Sequence, residues 1–563
     1  MGVMALPVRI AEVERERWAG RQFSKLGGLA PVLRRRYERL LGAGRGDQAP
    51  ANRWLRESVQ RLRVLPGLSA DAGDDAVRAK AEALAERAGE LVRRGLVDRA
   101  SEVLAAPLGI ECGGEDGGAR LACAVWWRRQ LRRICARRAE GLARELGEVR
   151  RGSSAYVSEH GFRAWVSASR RNAAFLARCE AVNDAGQVFG LDELAALSVS
   201  NPVIRRAELM VRIRGAEEWA ARAGGWSAVF VTVTCPSAFH ARYSSGAENA
   251  RFAGHDPRAG AEYLAGMWAR CRADLARRGL DWWGLRVAEP HHDGTPHWHL
   301  LVYARPGDLG AVVDVMRAHA LRQDGGEPGA ARYRFAAKAL PVGAAAGYVA
   351  KYVSKNVDGF GVGEDFEAGD FAADSAARVR AWASIWGIRQ FSWIGAPAVT
   401  VWRELRRIEA AGAAGGVLGE LVAAADAGDW GRYVELMGGA GPGLSRARPA
   451  VPWRRSDRVG RYGEPVERVV GVVCSGVGEV LTRWRVWCVR FGARSARALG
   501  LVSITVRGVE GGTSQGSGAG GAVVRGAGGS GGGAAGDRRG DGRSSTGGAV
   551  GDGRAGGPAY GFA

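Results

Sequence analysis

Half of the chain's histidines fall within nine residues. His291, His292, His297 and His299, four of eight, lie in the run EPHHDGTPHWH at 289–299. In a strand, successive side chains alternate between faces, so His297 and His299 share one face while Trp298 and Leu300 take the other. Two imidazoles about 7 Å apart along a strand can converge on one divalent ion, and a third ligand would complete the site. Glu289 sits on the preceding strand-like run, where register decides whether it reaches. A two-residue Asp293-Gly294 loop pairs Glu289 with Trp298, on the wrong face. A three-residue loop or a bulge sets it opposite His297 or His299, with Gly294 supplying the left-handed residue. His291 shares that face and is the alternative third ligand. The expected cofactor is a divalent metal, Mn²⁺ or Mg²⁺: imidazole ligands tolerate Mn²⁺, and availability favours Mg²⁺.

A second constellation is GYVAKYVSKN at 347–356. At helical spacing, Tyr348 and Tyr352 lie on one face, about 5–6 Å apart at Cβ. Lys351 and Lys355 each follow a tyrosine by three residues, so each phenol has an ammonium neighbour, which favours the phenolate. The chain holds only five lysines against 75 arginines, and a compact ammonium beside a reactive oxygen is chemically unlike a guanidinium fork. Joined, the two constellations describe one reaction. A metal polarises a phosphodiester, a tyrosine attacks in line, and a free 3′-hydroxyl leaves while the enzyme stays linked to the 5′ end. The bond energy is kept, so the strand can be rejoined. A second tyrosine permits a second cleavage while the first linkage stands. Tyr348, Tyr352, Lys351 and Lys355 are the candidate catalytic residues.

These residues need a sheet and a helix to hold them. Strand-like runs at Val229–Thr234, Trp282–Glu289 and His297–Tyr303 alternate with helical periodicity at 257–278, 308–321 and 344–356. A hairpin between the middle strands makes the sheet at least partly antiparallel, so the expected class is α+β. Residues 1–200 read as helical and basic, with ten Arg around Trp126 and Trp127 between Arg120 and Arg151. That stretch is either a DNA-facing helix or a solvated helix whose aromatics pack on a neighbour. Residues 201–410 carry both constellations. Residues 411–507 form a small region of unclear fold, with possible strands at Val469–Val473 and Thr482–Val489. The last 56 residues, 508–563, hold 23 glycines and are expected to be a disordered tail.

The 563 residues have a formal net charge of +21, which calls for a polyanionic partner. No apolar run reaches about 18 residues, so no transmembrane helix is expected. The start lacks the pattern of a secretory signal. The eight cysteines never form C-x-x-C, which argues against a disulfide framework or a structural zinc module and suits a cytoplasmic protein. No lysine sits in a phosphate-binding G-x-x-x-x-G-K-[ST] loop, so strand separation is expected to come from elsewhere.

The ordered motifs resemble the HUH endonuclease superfamily, and more closely the bacteriophage replication gene A protein family of rolling-circle initiators. They are SNPVIRRAELM at 200–210, FVTVTCPS at 230–237, VAEPHHDGTPHWH at 287–299, YVAKYVSKNVDG at 348–359 and WGIRQF at 386–391. The resemblance runs through about 201–408, which it makes the endonuclease domain, and the helical segment before 200 looks like the family's N-terminal part. It implies an antiparallel sheet of about five strands, the histidine pair on a central strand and the tyrosine helix beside it. The implied role is to nick one strand at a phage origin, start rolling-circle synthesis, and later cut and rejoin a unit-length circle. Single-stranded or supercoiled phage origin DNA, a host helicase and a host DNA polymerase are the implied partners, in the bacterial cytoplasm with no membrane. A relaxase or transposase of a mobile element, and a non-catalytic DNA-binding protein, are the competing readings.

Overall fold

Strands that are apolar on both faces need helices on both sides of the sheet. The computed structural model describes residues 5–492, except 45–46, 113–115, 342, 362–363, 366–369, 409–415 and 442–447. Eleven elements matter to the site. In chain order they are α1 (Ala124–Glu145), α2 (Pro202–Arg222), β1 (Ser227–Thr234), α3 (Pro257–Arg277), β2 (Trp282–Pro290) and β3 (Pro296–Ala304). They continue with α4 (Leu309–Leu321), β4 (Phe335–Leu340), α5 (Ala345–Val357), α6 (Ala372–Trp386) and β5 (Phe391–Ile394). The five strands make one antiparallel sheet in the order β5-β2-β3-β1-β4. The class is α+β, and β3, which carries His297 and His299, is the middle strand.

One sheet face, with Val231, Trp298, Leu300 and Val302, packs on Leu264 and Trp268 of α3 and on Val312 and Met316 of α4. The other, with Phe230, Leu285, Val287, Leu301 and Tyr303, receives α2, α5 and the helices Val399–Leu405, Val417–Ala427 and Trp430–Leu436. Residues 417–437 therefore complete the core over the sheet. Further along, the strands fall differently from the expected runs. Gly471–Cys474 pairs with Gly478–Leu481, and Trp487–Phe491 joins Cys179–Asn183. The cause is local: Gly476, at φ +82°, turns the chain early, and Thr482 leaves the strand to donate its hydroxyl to Glu404.

The N-terminal helices bury a core of their own, which includes Trp126 and Trp127. The Trp127 indole N–H donates to the Leu121 carbonyl at 2.6 Å, so these tryptophans are packing groups. The glycine-rich tail at 508–563 lies outside the described residues. Among the described residues no helix is long and apolar enough to cross a membrane.

Helix α5 has an apolar edge at Ala345, Val349, Val353 and Val357, a four-residue repeat that seats it in the core and leaves Tyr348 and Tyr352 flanking the sheet. Its first turn has no side-chain cap of its own. Glu217 of α2 supplies one, accepting from the amides of Ala345 at 2.7 Å and Ala346 at 3.0 Å. A carboxylate there satisfies unpaired amides and meets the positive end of the helix dipole. Glu217→Gln keeps the shape and removes the charge. The expected loss is about 1 kcal/mol, seen as roughly fivefold faster hydrogen exchange in α5 with β3 unchanged. Unchanged exchange in α5 would show the cap to be idle.

Candidate active site

The β2–β3 hairpin pairs Glu289 with His297, Val287 with His299 and Pro290 with Pro296. The even register comes from a three-residue loop. The His291 N–H donates to the Thr295 carbonyl at 2.7 Å, the Gly294 N–H donates to the His291 carbonyl at 2.8 Å, and Gly294 sits at φ +80°. Any side chain at that φ is strained. Glu289 thus lands on the face of the two histidines.

Among the described residues, Glu289, His297 and His299 form a buried group whose ligand atoms all lie within 4.8 Å of one another. The two Nε2 atoms are 3.0 Å apart, and Glu289 Oε2 is 3.7 Å from His299 Nε2. His299 Nδ1 meets the Thr232 hydroxyl at 3.0 Å, which holds the ring in place. One carboxylate and two imidazoles, buried together, fit a divalent metal ion. His291, the alternative ligand, stacks on His297 with ring centroids 4.0 Å apart.

Residues whose roles the sequence did not reveal complete the group. Asn356, fully buried on α5, donates its side-chain N–H to Glu289 Oε1 and to the Tyr352 carbonyl, the latter at 2.7 Å. Gln390 donates to Asn356 Oδ1 at 3.2 Å, and the Ala288 N–H donates to the Gln390 carbonyl at 2.7 Å. Lys355 Nζ lies 3.8 Å from Glu289 Oε2 and 5.1 Å from the centre of the Tyr156 ring. Tyr156, a buried non-glycine residue at φ +73°, carries the backbone strain that persists where packing enforces it.

Tyr352 sits against this group, with Tyr348 beside it. The Tyr352 ring is 4.3 Å from the His299 ring and 4.9 Å from Phe230, while Tyr348 is 4.8 Å from Phe230 and 6.0 Å from Tyr352. Lys351 Nζ lies over both rings, at 4.9 Å from Tyr348 and 4.7 Å from Tyr352. The electrostatics depart from the sequence expectation. Burial pushes the Tyr352 phenol well above its ordinary value, Tyr348 and Glu289 push the same way, and Lys355 opposes them more weakly. Desolvation outweighs the Lys355 ammonium.

The hairpin tip is gripped from far upstream. Arg144, buried at the end of α1, donates to the Asp293 carbonyl at 2.6 Å, the His255 carbonyl at 2.6 Å and Thr295 Oγ1 at 2.6 Å, and it approaches Asp293 Oδ2 at 3.4 Å. The Ala241 and Thr295 amides donate to the same carboxylate at 2.9 and 3.0 Å, and the Trp382 indole of α6 donates to the Gly294 carbonyl at 2.8 Å. Burial alone would raise the Asp293 pKa, but His240 and Arg144 beside it hold the carboxyl well below its usual range. Its stabilising contribution is therefore complete above the unfolded value of about 3.9 and is lost as pH falls through the lower folded value. Arg144→Met breaks a buried pair and is expected to cost about 3–5 kcal/mol, with a shallower acid limb in urea-midpoint measurements taken against pH. A loss under about 1 kcal/mol would assign Arg144 the low value typical of surface pairs.

With this geometry in place, the chain compares with phage replication proteins. It is 38% identical over 382 residues to the replication protein of Haemophilus phage HP1, covering 66% of this chain and 48% of that one. It is 39% identical over 376 residues to the replication gene A protein of Escherichia phage P2, covering 64% and 49%. A probable replication endonuclease from a prophage-like region of Salmonella paratyphi A is 34% identical over 374 residues, covering 63% and 46%. The chain spans about half the length of these curated relatives. Residues 117–360 match the family model of the bacteriophage replication gene A protein, so this segment is similar to that family. The match starts in the helical region, inside the expected 1–200 segment, and ends before the 386–391 motif. No solved structure matches.

Proposed function

We propose that the chain is a rolling-circle replication initiator, a metal-dependent endonuclease that nicks one strand of phage origin DNA by tyrosine attack. The observation that carries this reading is the seat of Tyr352 against His299, 4.3 Å between ring centroids, above a buried Glu289–His297–His299 group. Those three residues would hold the ion. When bound, a divalent cation supplies polarisation of the phosphodiester and fixes its orientation.

The chain's own residues do the rest. The Tyr352 or Tyr348 phenol oxygen bonds to phosphorus, the bond from phosphorus to O3′ breaks, and the proton lost by the phenol is matched by one gained at O3′. Lys351, over both rings, offsets charge on the phenolate and the phosphoryl oxygens. Lys355 balances Glu289, and Asn356 keeps that carboxylate turned toward the histidines. The retained 3′-hydroxyl can prime synthesis, and the linked 5′ end can be rejoined. The test is a nicking assay on supercoiled DNA carrying the origin, with Mn²⁺, Mg²⁺ or chelator. A metal-independent nick, or products with free 5′-phosphates and no linked protein, refutes the reading.

Strand separation and synthesis are assigned in this reading to a helicase and a polymerase of the host. Purified chain mixed with ATP and forked duplex DNA is expected to leave the duplex intact. Unwinding by the chain alone would remove the need for the helicase.

A further inference from the structure

Three of the chain's five lysines surround the two tyrosines, although arginine outnumbers lysine 75 to five over the whole chain. The third, Lys338, lies on β4, the edge strand of the sheet, and is exposed. Register sets it opposite Phe230, the residue whose ring packs on both tyrosines. Its Nζ is 4.7 Å from the centre of the Tyr348 ring. Lys351 approaches the same ring from the helix at 4.9 Å.

The three ammonium groups differ in what balances them. Lys355 faces Glu289. Among the described residues, no carboxylate lies within ion-pair distance of Lys338 or Lys351. Two ammonium groups on separate elements, each within 4.9 Å of the centre of one phenol ring, bring positive charge to that phenol. They stand on the open edge of the sheet, on the side of Tyr348. An ammonium is a compact charge with three donors and binds non-bridging phosphoryl oxygens without the fixed fork of arginine.

We propose that Lys338 is a phosphate-binding residue for the Tyr348 half of the site: with Lys351 it holds the non-bridging oxygens of the single-stranded DNA phosphodiester that Tyr348 attacks. This rests on the two-tyrosine reading above. The phenol oxygen of Tyr348 bonds to phosphorus, the bond to O3′ breaks, and O3′ takes up a proton as the phenol gives one up. The two tyrosines are then unequal: Lys351 lies over both rings, Glu289 and Lys355 act on the Tyr352 side, and Lys338 approaches Tyr348.

The experiment uses the full chain in Tyr352→Phe and Tyr348→Phe backgrounds, each with Lys338, Lys338→Met or Lys338→Arg. The probe is a labelled single-stranded oligonucleotide selected from a random pool for covalent capture by the unaltered chain. Initial rates of adduct formation are read by denaturing electrophoresis. The expected result is that Lys338→Met lowers the rate at Tyr348 about 10²-fold more than the rate at Tyr352, the scale of one lost electrostatic contact. Lys338→Arg, which keeps the charge, should recover much of it. Equal loss at both tyrosines, or none at Tyr348, overturns the assignment. If neither background forms an adduct with Lys338 intact, the two-tyrosine reading itself fails and takes the Lys338 assignment with it.

Discussion

A chain carrying both Tyr348→Phe and Tyr352→Phe should form no covalent adduct with origin DNA. The ring packing against Phe230 and His299 survives the change, so the fold should be kept while the attacking oxygens are gone. Loss of a nucleophile lowers rates by about 10⁴-fold or more. Each single Tyr→Phe chain should still cleave once, because the two rings are 6.0 Å apart on one helix face and either can approach a phosphate held at one place. Strand transfer, which needs a second cut during the first linkage, should fail in both. A labelled oligonucleotide, denaturing electrophoresis and mass spectrometry of the linked peptide decide the matter. An adduct outside 348–352, or full strand transfer by either single variant, would remove the two-tyrosine mechanism.

His297→Ala should separate DNA binding from chemistry. It removes one of two imidazoles from the buried group and leaves Glu289 held by Asn356. Loss of a supporting partner alone lowers metal affinity by about 10–100-fold, and loss of a ligand should reach the upper end of that range or beyond. Calorimetric titration with Mn²⁺ measures this directly. Nicking should fall by about 10²-fold or more, while affinity for the oligonucleotide stays within about twofold, because contacts to the phosphate backbone supply most of it. Unchanged Mn²⁺ binding would transfer the ligand role away from His297. The stacked His291, 4.0 Å away between ring centroids, is then the residue to change next.

The candidate site was legible wherever short-range spacing carries the information. Alternation within β3 places His297 and His299 together, and the four-residue repeat in α5 aligns the tyrosines. The hairpin register was legible only as a choice between loop lengths, which the three-residue turn at Gly294 resolves. The roles of Glu217, Arg144 and Gln390 were not legible, because each acts on a segment far away in sequence, although Gln390 lies inside the quoted motif at 386–391. Asn356 lay inside a quoted motif, but its role depends on a carboxylate from another strand. Lys338 was hidden in an unremarkable AAKAL run whose register against Phe230 only the sheet defines. The net shift of Tyr352 was not legible for the same reason: the neighbouring Lys355, which does lower it, can be read from sequence, but the burial that outweighs it cannot. The packing of 417–437 over the sheet is likewise a matter of tertiary contact.

The grip of Arg144 on the Asp293 hairpin has a consequence for inheritance. Phage genomes exchange segments, and an exchange leaves a working protein only if both halves of a buried contact travel together. A crossover near residue 200 would bring a foreign α1 against this hairpin, where a misplaced guanidinium takes one counter-charge from the buried Asp293 carboxylate and leaves it to His240. Joints before residue 124 keep the pair intact. Mosaic relatives should therefore break upstream of α1, and chimaeras built at the two positions should differ in soluble yield in that direction.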